Sequence, residues 1–148
     1  MSRPLVVGIG SHHGDDIAGW LVLDQLQAIG ISPQYLVRIR HPAALLDVAE
    51  PDRQLILCDA CHGLGQPGSI RLWNWPTDLL ISTRHCTSHD VSLPDVLQLG
   101  VRLGALPQLI AIWGIEGLNW EPGSGHSPEV SQGAVAVANR LSRNFSGA

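Results

Sequence analysis

The stretch Leu5-Val6-Val7-Gly8-Ile9-Gly10, running straight into Ser11-His12-His13-Gly14-Asp15-Asp16-Ile17-Ala18-Gly19, sets the architecture of this 148-residue chain. A short apolar run closed by glycine is the pattern of a strand buried on both faces. Two acids then open a helix over Asp16–Ile29, where carboxylates favour the positive end of the dipole. Val22, Leu23, Leu26 and Ile29 recur on one face of that helix, and Gly30 lies just past its end.

Working outward, the same alternation repeats. Tyr35–Ile39 reads as a second strand, Ala43–Ala49 as a short helix between Pro42 and Pro51, and Gln54–Asp59 as another buried strand. Ser69–Trp73 reads as a shorter, more exposed strand. Residues 74–88 show no period, and the stretch from Trp73 to Cys86 is the expected substrate-contacting flap. A helix starts near Ser92, because Pro94 is best tolerated in a first turn, and ends near Gly104. Leu109–Ile115 is the last strand. Ser127 is the expected N-cap of a final helix with Pro128 at its first position, burying Val130, Ala134, Val137 and Leu141. Trp20 and Trp113 fall inside elements and are expected in the core; Trp73, Trp75 and Trp120 are expected to plug it from nearby loops.

Strands alternating with helices imply α/β: one three-layer α/β/α domain over residues 1–148, with a mainly parallel twisted sheet of about five strands, phosphorylase/hydrolase-like. Apolar residues make up 45% and charged residues 15%, which excludes a disordered chain or a coiled coil. A net charge of −4 without a Lys/Arg cluster argues against a nucleic-acid partner. No apolar stretch is long enough for a membrane span, and no secretory signal pattern opens the chain. The protein is therefore expected in the cytoplasm, with Cys58, Cys61 and Cys86 as free thiols.

In such sheets ligands bind beyond the carboxyl ends of the strands. Three loops there carry Asp15-Asp16, Asp59-Ala60-Cys61-His62 and His85-Cys86-Thr87-Ser88-His89-Asp90. Carboxylates with an imidazole suit nickel or zinc and leave positions open for substrate or water. Each residue alone has a plainer reading: one of Asp15 and Asp16 as a helix-end acid, Asp59 in a turn, His89 on the surface.

Four segments, in order and over nearly the whole chain, resemble those of the hydrogenase maturation proteases, the endopeptidases of peptidase family M52. They are Gly8 to Gly19; Leu55-Ile56-Leu57-Cys58-Asp59-Ala60 followed by Gly68-Ser69-Ile70; Ser88-His89-Asp90 through Leu97; and Gly114-Ile115-Glu116 with Ser127-Pro128-Glu129-Val130. The resemblance implies that Asp16, Asp59 and His89 bind a metal. It further implies that this metal is the nickel carried by a nickel-iron hydrogenase large-subunit precursor, for which zinc or cadmium can substitute. The C-terminal peptide of that precursor is then removed. A metal-bound water attacking the peptide bond, with Asp15 or Asp16 relaying a proton, is the expected chemistry. The protein is expected to act as a monomer. The chain departs from the family at Ser11-His12-His13, where asparagine and apolar residues are usual and the loop is a residue longer, and at Gly117, where proline is common.

Two other readings stand beside this one. Cys58-x-x-Cys61 with Cys86-x-x-His89 has the spacing of a structural zinc site. Gly8-x-Gly10-x-x-x-Gly14, with Arg38 or Arg40 after the second strand, approaches a nucleotide-binding module, although its acids would repel pyrophosphate.

Overall fold

A computed structural model describes residues 3–78 and 92–145. Five strands, β1 (Leu5–Ile9), β2 (Leu36–Ile39), β3 (Leu55–Cys61), β4 (Ile70–Trp75) and β5 (Ile110–Glu116), form one sheet in the order β2-β1-β3-β5-β4. All pairs are parallel except β4–β5, which places an antiparallel strand at one edge. The helices are α1 (Ala18–Ala28), α2 (Leu45–Val48), α3 (Leu93–Arg102) and α4 (Pro128–Leu141). The α/β reading and its mainly parallel five-stranded sheet are both present.

Alternation along the strands divides the core into two layers. On one face Val6, Ile56, Cys58, Ala60, Trp113 and Ile115 pack with Val22 and Leu26 of α1 and with Val130, Ala134, Val137 and Leu141 of α4. On the other, Val7, Ile9, Leu57, Cys61 and Ile112 pack with Leu45 of α2 and Leu93, Val96 and Leu97 of α3. Trp20, Trp73 and Trp113 are all buried; Trp75 and Trp120 are only half-buried.

Helix α1 lies unusually close to the sheet because glycine meets backbone there. A Cβ on Gly19 would stand 2.4 Å from the carbonyl oxygen of Cys58 and 2.6 Å from that of Ile9, and one on Gly8 would stand 2.6 Å from the Gly19 carbonyl oxygen. This contact brings the start of α1 down onto the end of β1 and the middle of β3.

Element boundaries shift where side chains compete with the backbone. The first helix was expected from Asp16, but residues Gly14–Ile17 form a 3-10 turn and the α-helix begins at Ala18. Helix α3 starts near Ser92 as expected, and Ser92 caps it by accepting the Asp95 N–H at 3.3 Å. Ser127 does precede α4, with Pro128 in its first turn, yet its side chain makes no cap hydrogen bond. The hydroxyl is bonded elsewhere, to Asp15. The stretch 74–88, expected to be irregular, begins with the last two residues of β4; residues 79–88 lie outside the described part.

Candidate active site

The loops leaving β1, β3 and β5 meet on one edge of the sheet. Among the described residues the buried carboxylates are Asp15, Asp59 and Glu116, and all three belong to this edge. The sequence contains no lysine to neutralise them. A carboxylate in a low-dielectric setting requires donors or a cation, so the partners of each define its work.

Asp15 is fully buried. Its Oδ2 accepts the N–H groups of Leu118 at 2.7 Å and Asn119 at 2.9 Å and the Ser127 hydroxyl at 2.9 Å; its Oδ1 accepts the Ser127 N–H at 2.6 Å. Burial pushes the carboxyl pKa up, but these four donors outweigh it and hold the group below its ordinary value. Asp15 thus ties the 3-10 turn to the loop between β5 and α4.

Glu116, at the end of β5, does the same for the loop after β3. Its Oε2 accepts the Gly63 N–H at 2.9 Å and its Oε1 the Leu64 N–H at 2.7 Å. The strand-end backbone adds a bond from the Gly117 N–H to the Cys61 carbonyl oxygen at 2.9 Å. Across the two loops the rings of His62 and Trp120 meet edge to face at 5.7 Å.

Asp16 is half-buried, with its Oδ2 accepting the Ser11 hydroxyl at 2.7 Å. Asp59 is buried near the end of β3, and its Oδ1 accepts the Ala60 N–H at 2.8 Å. Strands β1 and β3 are hydrogen-bonded neighbours, and the 3-10 turn packs against β3. Two of the three expected metal ligands therefore emerge from adjacent strands on one edge. The third, His89, lies outside the described residues. Among the described residues no group of three His, Cys, Asp or Glu side chains is set to hold a metal ion, so a metal held here requires a ligand from elsewhere.

The rival sites fare differently. Cys58 faces the α1–α4 layer and Cys61 the α2–α3 layer, on opposite sides of the sheet, so they cannot grip a common ion. Both are free thiols. Burial raises both; Cys61, with Glu116 and Asp59 nearby, is pushed up to about 12, whereas zinc-bound cysteines ionise readily. Cys86 lies outside the described residues. Arg38, the candidate phosphate contact, pairs with Asp24 and stacks 5.7 Å from the Trp20 ring centre. A cavity of about 490 Å³ opens at the opposite edge of the sheet, among Leu55, Trp75, Thr77, Leu109 and Ile110, and its lining holds no titratable side chain.

No family model matches the sequence, and no curated protein matches it. Solved structures do. The hydrogenase maturating endopeptidase HybD from E. coli is 25% identical, with a TM-score of 0.72 over 96% of this chain and 93% of that one. The fold is that of the hydrogenase maturation proteases. A [NiFe] hydrogenase maturation protease, HycI from Thermococcus kodakarensis KOD1, overlays with a TM-score of 0.73 at 20% identity, over 98% of this chain and 93% of that one. A hydrogenase 2 maturation peptidase from Thaumarchaeota archaeon SCGC_AB-539-E09 gives 0.67 at 23% identity, over 97% and 98%. Among the described residues no helix is long and apolar enough to cross a membrane.

Glu116 was named from the sequence only within a resembling motif. A glutamate closing an apolar strand and followed by glycine, Ile115-Glu116-Gly117, is the signal that could have marked it: a buried strand end with a charge needs donors close by.

Proposed function

We propose that the protein is an endopeptidase that removes the C-terminal peptide of a nickel-loaded nickel-iron hydrogenase large-subunit precursor. The observation that supports this reading is the shared fold with the hydrogenase maturating endopeptidase HybD over 96% of the chain, with Asp16 following β1 and Asp59 near the end of the neighbouring β3. The nickel is cargo of the substrate. Asp16, Asp59 and His89 are the residues that hold it, two carboxylates and an imidazole suited to nickel, with zinc or cadmium as substitutes.

Hydrolysis adds water to the scissile carbonyl carbon and delivers a proton to the departing amine. Asp15 is unsuited to relay that proton, because its oxygens are already engaged by four donors and shielded from solvent. Asp16, half-buried and accepting the Ser11 hydroxyl at 2.7 Å, is the carboxylate that takes this role in the proposed reaction. A metal held by Asp16, Asp59 and His89 would supply positive charge to stabilise the carbonyl and the attacking oxygen.

Purified protein mixed with nickel-loaded precursor should shorten the precursor by its C-terminal peptide, visible as a mass decrease. Asp16→Ala, Asp59→Ala and His89→Ala should each abolish the decrease. Continued cleavage by all three variants would remove this assignment.

A further inference from the structure

Two segments more than 100 residues apart in sequence are joined by one carboxylate. The 3-10 turn Gly14–Ile17 and the loop 117–127 approach so closely that a Cβ on Gly14 would lie 2.3 Å from the Asn119 carbonyl oxygen, and Gly14 itself holds φ at +56°. The Gly14 N–H donates to the Ser124 carbonyl oxygen at 3.2 Å and the Asp15 N–H to that of Asn119 at 2.7 Å. The Asp15 side chain then collects four donors from the same loop. The loop is braced within itself, Asn119 Nδ2 donating to Ser124 Oγ at 3.1 Å and Ser124 Oγ to the Glu121 carbonyl oxygen at 2.6 Å.

We propose that Asp15 is a positioning residue: by locking this braced loop to the 3-10 turn it fixes the backbone that presents Asp16 at the end of β1. The proposal rests on the reading of Asp16 as a metal ligand. A four-residue 3-10 turn has strained hydrogen-bond geometry and little stability of its own. Asp16 is its third residue, and its carboxylate keeps one orientation only if the turn does. Every partner of the Asp15 side chain is a donor, so the position requires a group that only accepts. An asparagine would turn an NH2 against an N–H or a hydroxyl, leaving donors opposed in a buried site. Ordered ligand presentation of this kind is worth on the order of 10- to 100-fold in metal affinity.

The test uses the full-length protein, with cadmium ion as the probe in calorimetric titration and amide hydrogen exchange on the metal-free protein. Asp15→Asn should weaken cadmium binding by about tenfold or more, yet cause no further weakening when Asp16 is already alanine. Its amides at residues 14–17 and 118–119 should exchange faster, while α1 and β3 keep their protection. Ser127→Ala, which retains the three backbone donors, should shift both readouts in the same direction by a smaller factor and serves if Asp15→Asn does not fold. Wild-type cadmium affinity in folded Asp15→Asn overturns the proposal, as does equal weakening with and without Asp16, or unchanged exchange at residues 14–17. If the wild-type protein binds no cadmium, the reading of Asp16 as a ligand fails instead, and the exchange data alone decide whether Asp15 orders the turn.

Discussion

Gly19 separates the contribution of backbone proximity from that of side-chain burial. Its missing Cβ lets α1 rest against the carbonyl groups of Ile9, the last residue of β1, and Cys58, in the middle of β3. Gly19→Ala should lower unfolding stability by about 1–3 kcal/mol, read from urea denaturation, because backbone atoms on both strands would have to retreat. Gly63→Ala is the useful contrast. Gly63 has open space around its Cβ and a φ of +84°, so only left-handed strain of about 1–2 kcal/mol is expected, with no displacement of α1. A Gly19→Ala variant as stable as wild type would mean that α1 is not seated as closely as its backbone contacts require.

At the scale of elements, serine hydroxyls that look alike in sequence do different work. Ser92 caps α3, and Ser92→Ala should cost about 1 kcal/mol. Ser127 precedes Pro128 with the same apparent signal, but its hydroxyl donates to the buried Asp15 carboxylate, and a hydrogen bond to a charged group is worth about 1.5–3 kcal/mol. Ser127→Ala should therefore lower the urea midpoint more than Ser92→Ala does; the reverse order would contradict the bonding described for Asp15. Glu116→Gln should raise amide exchange at Gly63 and Leu64, since an amide nitrogen cannot accept the second N–H. Unchanged protection there would show that the loop after β3 is held by something else. Most element positions were legible because β1, β3 and β5 each open on an apolar run, Leu5–Ile9, Leu55–Cys58 and Ile110–Trp113. The 3-10 turn at Gly14–Ile17 was not, since it is dictated by a loop 100 residues away.

For the whole molecule, acid and base should act through different residues. The folded pKa of Asp15 lies below its reference of 3.8, so its contribution is complete above that value and is lost as pH falls through the lower, folded one. The thiols of Cys58 and Cys61 are raised from 9.0, Cys61 to about 12. Above pH 9 the unfolded chain releases protons that the folded chain retains, so stability falls as pH rises, by about 1.4 kcal/mol per pH unit for each thiol. Urea midpoints should be level near neutrality and decline above about pH 9, with a flatter decline in a Cys58→Ala/Cys61→Ala double variant. The same burial predicts that neither thiol reacts appreciably with iodoacetamide until the protein unfolds; rapid native labelling of Cys58 or Cys61 would refute their burial.

By itself the sequence determined the layer plan, since runs such as Leu5–Ile9 and Leu55–Cys58 can be buried on both faces only between helices. It also determined which loops carry carboxylates, because the order of strands and turns settles which ends of the sheet they leave from. Only the tertiary structure decided which carboxylate does which task. Asp15 and Asp16 are adjacent and chemically identical, and nothing local distinguishes them. One is buried among the donors of a distant loop and the other is half-buried and accepts the nearby Ser11 hydroxyl, a division set by long-range hydrogen bonds that no residue spacing encodes.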